Sequence, residues 1–158
     1  MDTEFRKLID EAIHMELNIG ELYLLFYRQF PDESQFWWEL VIEEENHAAL
    51  LKTVKQMGSA DVDIPRDMLP EGLEELIKSN LVIQKAYEDF KNNPDRDRAF
   101  RFAYRIETSA GELHYNAFMK NAPDSTVTDI FKRLNGDDVD HAERIRQYMI
   151  KHQIPATE

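Results

Sequence analysis

The sequence predicts an all-α protein, a four-helix bundle with a long crossover connection between its second and third bundle helices. Three observations carry that expectation. Four segments of about 25 residues repeat apolar side chains at intervals of three and four, the period of one helix face. Proline turns at Phe30-Pro31-Asp32 and Ala122-Pro123-Asp124-Ser125 divide the four segments into two pairs. Between the pairs, the 37 positions from 58 to 94 can run the length of a bundle whose helices are ~38 Å long.

The first segment carries Ile9, Ala12, Ile13, Ile19, Gly20, Tyr23 and Tyr27 on one stripe, and Glu16 falls inside it. In the second, Trp37, Leu40, Glu44, His47, Leu51 and Val54 keep strict register. Of the three consecutive acids there, only Glu44 points inward, and Glu43 and Glu45 are expected to be solvated. The crossover opens on the turn-rich GSADVDIPRDMLP and continues as the helical EGLEELIKSNLVIQKAYEDF, ending at Asn92-Asn93-Pro94. The third segment, Asp95 to about Asn121, stripes Phe100, Ala103, Tyr104, Glu107, Ala110, Gly111, His114 and Phe118. The fourth stripes Val127, Phe131, Leu134, Asp138, His141, Ile145 and Tyr148. The tail from His152, which contains Pro155, is expected to fray.

Polar residues inside these stripes carry the functional signal. Glu44 with His47 and Asp138 with His141 stand at i and i+3, so each pair aims an oxygen and a nitrogen donor the same way. Glu16 and Glu107 are lone carboxylates on the other two stripes. Glu16 is followed by LNIGELY and Glu107 by TSAGELH, while Glu44 and Asp138 are each followed by xxHA. These matches read as an internal duplication with a pseudo-two-fold centre. Depth agrees: Glu16 lies 15 residues before Pro31, with Glu44 and His47 13 and 16 after it; Glu107 lies 16 before Pro123, with Asp138 and His141 15 and 18 after. At ~1.5 Å per residue, all six side chains fall within about 8 Å along the bundle. Four buried carboxylates at one level need positive charge, and the stripes contain no lysine or arginine to supply it. Two divalent ions would.

Composition narrows the classes. The 158 residues read as one domain, 1–158, able to bury about two-thirds of the surface its unfolded chain exposes. No cysteine is present, which excludes disulfides, zinc-thiolate sites, cysteine nucleophiles and thiolate-held iron. A net charge of -12 argues against nucleic acid as partner and leaves cations as natural ligands. The N-terminal MDTEFRKLIDEAIHMEL is acidic where a secretory signal is basic, and no apolar run approaches the ~20 residues that cross a bilayer. A cytoplasmic protein with no membrane partner is the expectation.

With these residues in place, the chain resembles a ferritin-like di-iron carboxylate protein of the rubrerythrin type over essentially its whole length. That architecture takes one glutamate from each of two helices and a Glu-x-x-His from each of the others. The resemblance implies Glu16, Glu44, His47, Glu107, Asp138 and His141 as metal ligands, with Asp138 standing where a glutamate is usual. It implies two iron ions, Mn or Zn being alternative occupants. It also implies two-electron chemistry on peroxide or dioxygen, with peroxide reduction preferred. The rubredoxin-like tail of full rubrerythrins needs cysteines, so electrons are expected from a separate donor protein. The shorter Asp138 is expected to weaken the His141 site relative to the Glu44/His47 site, unless Asp137 is drawn in.

Tyr23 and His114 stand at equal offsets from Glu16 and Glu107, ~10 Å along the axis, which suits hydrogen bonding around the ligands better than ligation. Tyr104, one turn before Glu107, is the nearer candidate to bond a ligand carboxylate, with a core role as its alternative. Gly20 and Gly111 suggest close helix approach or space for a small substrate. His14 and His152 read as solvent residues. Phe36, Trp37 and Trp38 cannot all face one core, and the leftover aromatic surface favours a homodimer, with binding of another protein as the alternative. Two other functions fit the same residues: a ferroxidase serving iron handling, and a metal-free helical interaction module.

Overall fold

A computed structural model describes residues 3–59, 72–109 and 125–156, and those residues form an all-α bundle with no strand among them. Helix α1 (Thr3–Gln29) turns through a 3-10 segment (Pro31–Glu33) into α2 (Ser34–Ser59); α3 (Leu73–Asn92), α4 (Arg96–Ser109) and α5 (Thr126–Lys151) follow. None is long and apolar enough to cross a membrane.

Local chemistry accounts for the boundaries. Pro31 opens the 3-10 turn, where its missing N–H costs nothing. Asp95 follows Pro94 and accepts the Arg98 amide at 2.9 Å, capping α4. Ser125 caps α5 by accepting the Thr128 amide at 3.1 Å, a bond that stabilises a helix start by about 1 kcal/mol. The expected fraying of the tail is corrected. Gln153 takes a positive φ of 57°, its N–H donates to Ile150, and the Ile154 N–H donates to Met149 at 2.8 Å. This is a Schellman closure, and it folds Ile154 into the core.

α1 packs along α2, α4 along α5, and α2 meets α5, while the crossover helix α3 lies on α1. A buried polar pin fixes that last register. Asn80 of α3 accepts from Asn18 at 2.7 Å and donates to the Glu11 carbonyl and carboxylate, each at 3.0 Å. Apolar side chains form two clusters. One gathers Tyr23, Phe26, Trp37, Phe100, Ile145 and Met149 toward the Pro31 end; the other gathers Ile9, Ile13, Leu51, Val54, Phe131 and Leu134 toward the opposite end. Glu16, Glu44, His47, Glu107, Asp138 and His141 occupy the layer between them: α1, α2 and α5 pass from one cluster to the other at those positions, and Glu107 follows the last residues that α4 gives to the Pro31-end cluster.

One stripe residue departs from expectation. Tyr27 is 37% exposed and packs on Trp38, itself 45% exposed, so the α1 stripe ends at Phe26 and the aromatic excess emerges as this pair. The expected third helix is described to Ser109 only; Ala110, Gly111, His114, Phe118 and the Pro123 turn lie outside the described residues.

Candidate metal centre

Six side chains from four helices converge in the polar layer. Glu44, 2% exposed, lies between the two histidines, with Oε1 3.0 Å from His141 Nδ1 and Oε2 3.5 Å from His47 Nδ1. His47 Nδ1 also faces Glu16 Oε2 and Asp138 Oδ1, both at 3.6 Å. His141 Nδ1 faces Glu107 Oε2 at 3.6 Å. The imidazoles stack with centroids 5.3 Å apart and planes at 18°.

These contacts are close, yet none is aligned as a hydrogen bond. Both nitrogens of both histidines and Oε1 of Glu44 are buried without a hydrogen-bond partner among the described residues. Orphaned polar atoms of this kind cost about 1–3 kcal/mol each, so a cluster of them calls for something that accepts lone pairs. Glu16, Glu44 and His47 each offer an atom within 4.8 Å of the others, as do Glu44, Glu107 and His141. Donors bound at 2.0–2.2 Å to one ion lie up to about 4.4 Å apart. Both groups could therefore hold a metal ion with small side-chain shifts, and Glu44 belongs to both. Mixed imidazole and carboxylate donors suit iron, manganese or zinc.

Electrostatics of the layer point the same way. Burial pushes the Glu16 carboxyl well above its ordinary range against the pull of His47, and burial likewise raises Glu107. Asp138 rises to about 7, through burial and then the Glu107 and Glu44 charges. Burial would raise Glu44 too, but the two histidines outweigh it and hold the group at about 2. Burial disfavours imidazolium, yet Glu16 and Glu44 lift His47 to about 12, and Glu107 and Glu44 lift His141 to about 10. Among the described residues, no lysine or arginine reaches Glu16, Glu44, Glu107 or Asp138.

The outer side of the layer corrects one expectation. Glu43 is not simply solvated: its Oε2 lies 3.1 Å from His141 Nε2 and is held by Arg144. α5 covers this flank of α2, which a single-helix register cannot show. Glu45 is exposed as expected. Asp137 is the counterpart, with Oδ2 3.4 Å from His47 Nε2 and 3.6 Å from Arg133 Nε. It therefore backs His47 and does not serve the His141 side. Each acid just before a motif carboxylate supports the histidine of the facing helix, a cross-brace with the pseudo-two-fold symmetry of the sequence. A carboxylate behind an imidazole fixes its orientation and raises its basicity as a ligand. The sequence signal was available, since Glu43 and Asp137 are the paired acids four residues before each histidine.

Tyr23 donates its hydroxyl to Glu107 Oε1 across the bundle. Burial and the neighbouring Glu107 charge raise its pKa well above 10, so it stays protonated. Tyr104 packs half-buried against the Pro31-end cluster. His114 lies outside the described residues. A Cβ on Gly20 would stand 3.4 Å from the Glu44 Cβ, so this glycine marks close approach of α1 to α2. His14 is exposed, 3.7 Å from Glu11, and His152 is exposed and stacks on Tyr148 with centroids 4.0 Å apart.

No family model, curated protein or solved structure matches this chain at a significant level. What stands is an all-α bundle, loosely compatible with a ferritin-like arrangement, whose buried glutamates and histidines could bind metal.

Proposed function

We propose that this chain is a di-iron carboxylate protein of the rubrerythrin type that reduces peroxide with electrons from a separate donor. One observation carries the reading: Glu44 is shared between two groups of carboxylate and imidazole donors at one level of the bundle. In this reading Glu16, Glu44, Asp138 and His47 hold one ion, and Glu44, Glu107 and His141 the other. A ferrous pair supplies two electrons to peroxide or dioxygen. The chain's own part is to hold the donors at fixed separation through Glu43, Asp137 and Tyr23, between apolar clusters on either side. The absence of cysteine leaves no thiolate cluster in the chain to resupply electrons.

Stopped-flow oxidation of the diferrous protein tests this. Hydrogen peroxide should oxidise it faster than dioxygen, for a single turnover that stops when no reductant is present. Faster oxidation by dioxygen with ferric iron accumulating in the protein would favour a ferroxidase. Failure to bind Fe(II) would remove both readings.

A further inference from the structure

A cavity of about 270 Å³ opens from solvent onto this layer, between α1, α3 and α4. Its inner end is formed by Glu16, Glu44, Glu107 and Asp138. Its walls are Met15, Ile19, Ile83, Phe102 and Ile106. At the mouth stand the exposed Lys78, Val82 and Arg105. Among the described residues, Lys78 is engaged in an exposed i,i+4 pair with Glu74, which is weak and easily exchanged. Arg105 lies over the Phe102 ring.

The size and polarity of this space do not suit hydrogen peroxide alone. An apolar cavity of 150 Å³ takes benzene, which is ~25 Å³ per non-hydrogen atom, so 270 Å³ accommodates about ten such atoms. Hydrogen peroxide has two. It would leave apolar walls without a partner and give the two cations at the mouth no role. An elongated molecule with an apolar body and an anionic end fits all three zones.

We propose that the cavity is the site for an alkyl hydroperoxide bearing a carboxylate, with a chain of about eight carbons. The carboxylate pairs with Lys78 and Arg105, the chain lies along Ile19, Ile83, Phe102 and Ile106, and the hydroperoxide reaches the inner carboxylates. This assignment rests on the peroxide-reducing reading of the centre. The O–O bond breaks, two electrons come from two ferrous ions, which become ferric, and two protons from solvent complete one alcohol and one water.

Calorimetric titration of the iron-loaded protein with 8-hydroxyoctanoate, the redox-inert product, tests the site, with 1,8-octanediol as the neutral comparison. The acid should bind saturably and at least tenfold tighter than the diol. Replacing both cations, Lys78→Glu with Arg105→Glu, should abolish that preference while the diol still binds, which also reports an intact fold. Val82→Trp should weaken both ligands by narrowing the mouth. No saturable binding of either ligand, or acid binding undiminished by charge reversal, overturns the assignment. Iron content and oxidation by hydrogen peroxide are measured on the same samples. Protein that holds iron and is oxidised by hydrogen peroxide but does not bind the acid overturns the cavity assignment alone; protein without iron overturns the centre, and the titration still reads the cavity.

Discussion

Glu44→Ala removes the one carboxylate that both groups of donors share. In the metal-free protein Glu44 is ionised, held at about 2 by His141 and His47, and it raises both of their pKa values in return. Truncating it leaves two buried imidazoles, each 1% exposed, with their shared counter-charge gone. Breaking a buried pair of this kind costs about 3–5 kcal/mol. In a chain of this size each kcal/mol lowers Tm by about 2–4 °C, so the expected fall is roughly 6–20 °C. Metal should be lost from both sites, since neither keeps a full donor set. Glu45→Ala is the control: the residue is exposed, and its change should stay within about 0.5 kcal/mol. Glu43→Ala should lie between them, keeping the ligands but weakening iron affinity about 10–100-fold by releasing His141. Thermal unfolding of the metal-free variants and anaerobic Fe(II) dialysis with metal analysis give both readouts. Metal content in Glu44→Ala equal to that in Glu45→Ala would refute the shared-ligand reasoning.

Three further outcomes follow from the same geometry. Asp138, raised to about 7, contributes stability below about pH 4 that is lost as pH climbs through 7, a share kept small by solvent screening because its side chain is 38% exposed. The raised His47 and His141 contribute fully below their unfolded value of 6.5 and progressively less above it, through about 10 and 12. Glu44 acts oppositely, but its gain is complete above 4.5. The metal-free Tm should therefore fall from pH 6 to 9 while the gain on metal loading grows; a metal-free Tm rising over that range would contradict it. Tyr23→Phe removes the donor to Glu107 and should cost about 1.5–3 kcal/mol with the helical fold retained, read by circular dichroism and thermal unfolding. Asp138 reaches His47 Nδ1 but no contact joins it to His141, so the His141 group has fewer carboxylates. Asp138→Glu adds ~1.5 Å of reach and should bring the two sites closer to equal affinity, whereas an unchanged two-step Fe(II) titration would show that the shorter side chain suffices.

Much of this centre was legible in the sequence because helical register and distance from the proline turns are properties of each helix alone. Strict 3,4 spacing put Glu44 and His47 inward on α2 and Asp138 and His141 inward on α5. Counting from Pro31 and Pro123 put them level with Glu16 and Glu107. What register does not contain is how neighbouring helices are rotated against each other. Tyr23 was measured along α1 from its own Glu16, ~10 Å away, but its partner is Glu107 on α4. Glu43 lies off the α2 seam and is engaged only because α5 passes beside it. The Schellman closure depends on Gln153 adopting a left-handed conformation, and neither glycine nor asparagine marks that position. The cavity is likewise a product of three helices, since α3 had to lie on α1 before Lys78 and Arg105 could stand at one mouth.

Anaerobic titration of the metal-free protein with Fe(II) tests the central claim most directly. Saturation at about two ions per chain, lost in Glu44→Ala, is the result expected from a carboxylate shared by both donor groups. Absence of tight Fe(II) binding, or the same stoichiometry in Glu44→Ala, would contradict it.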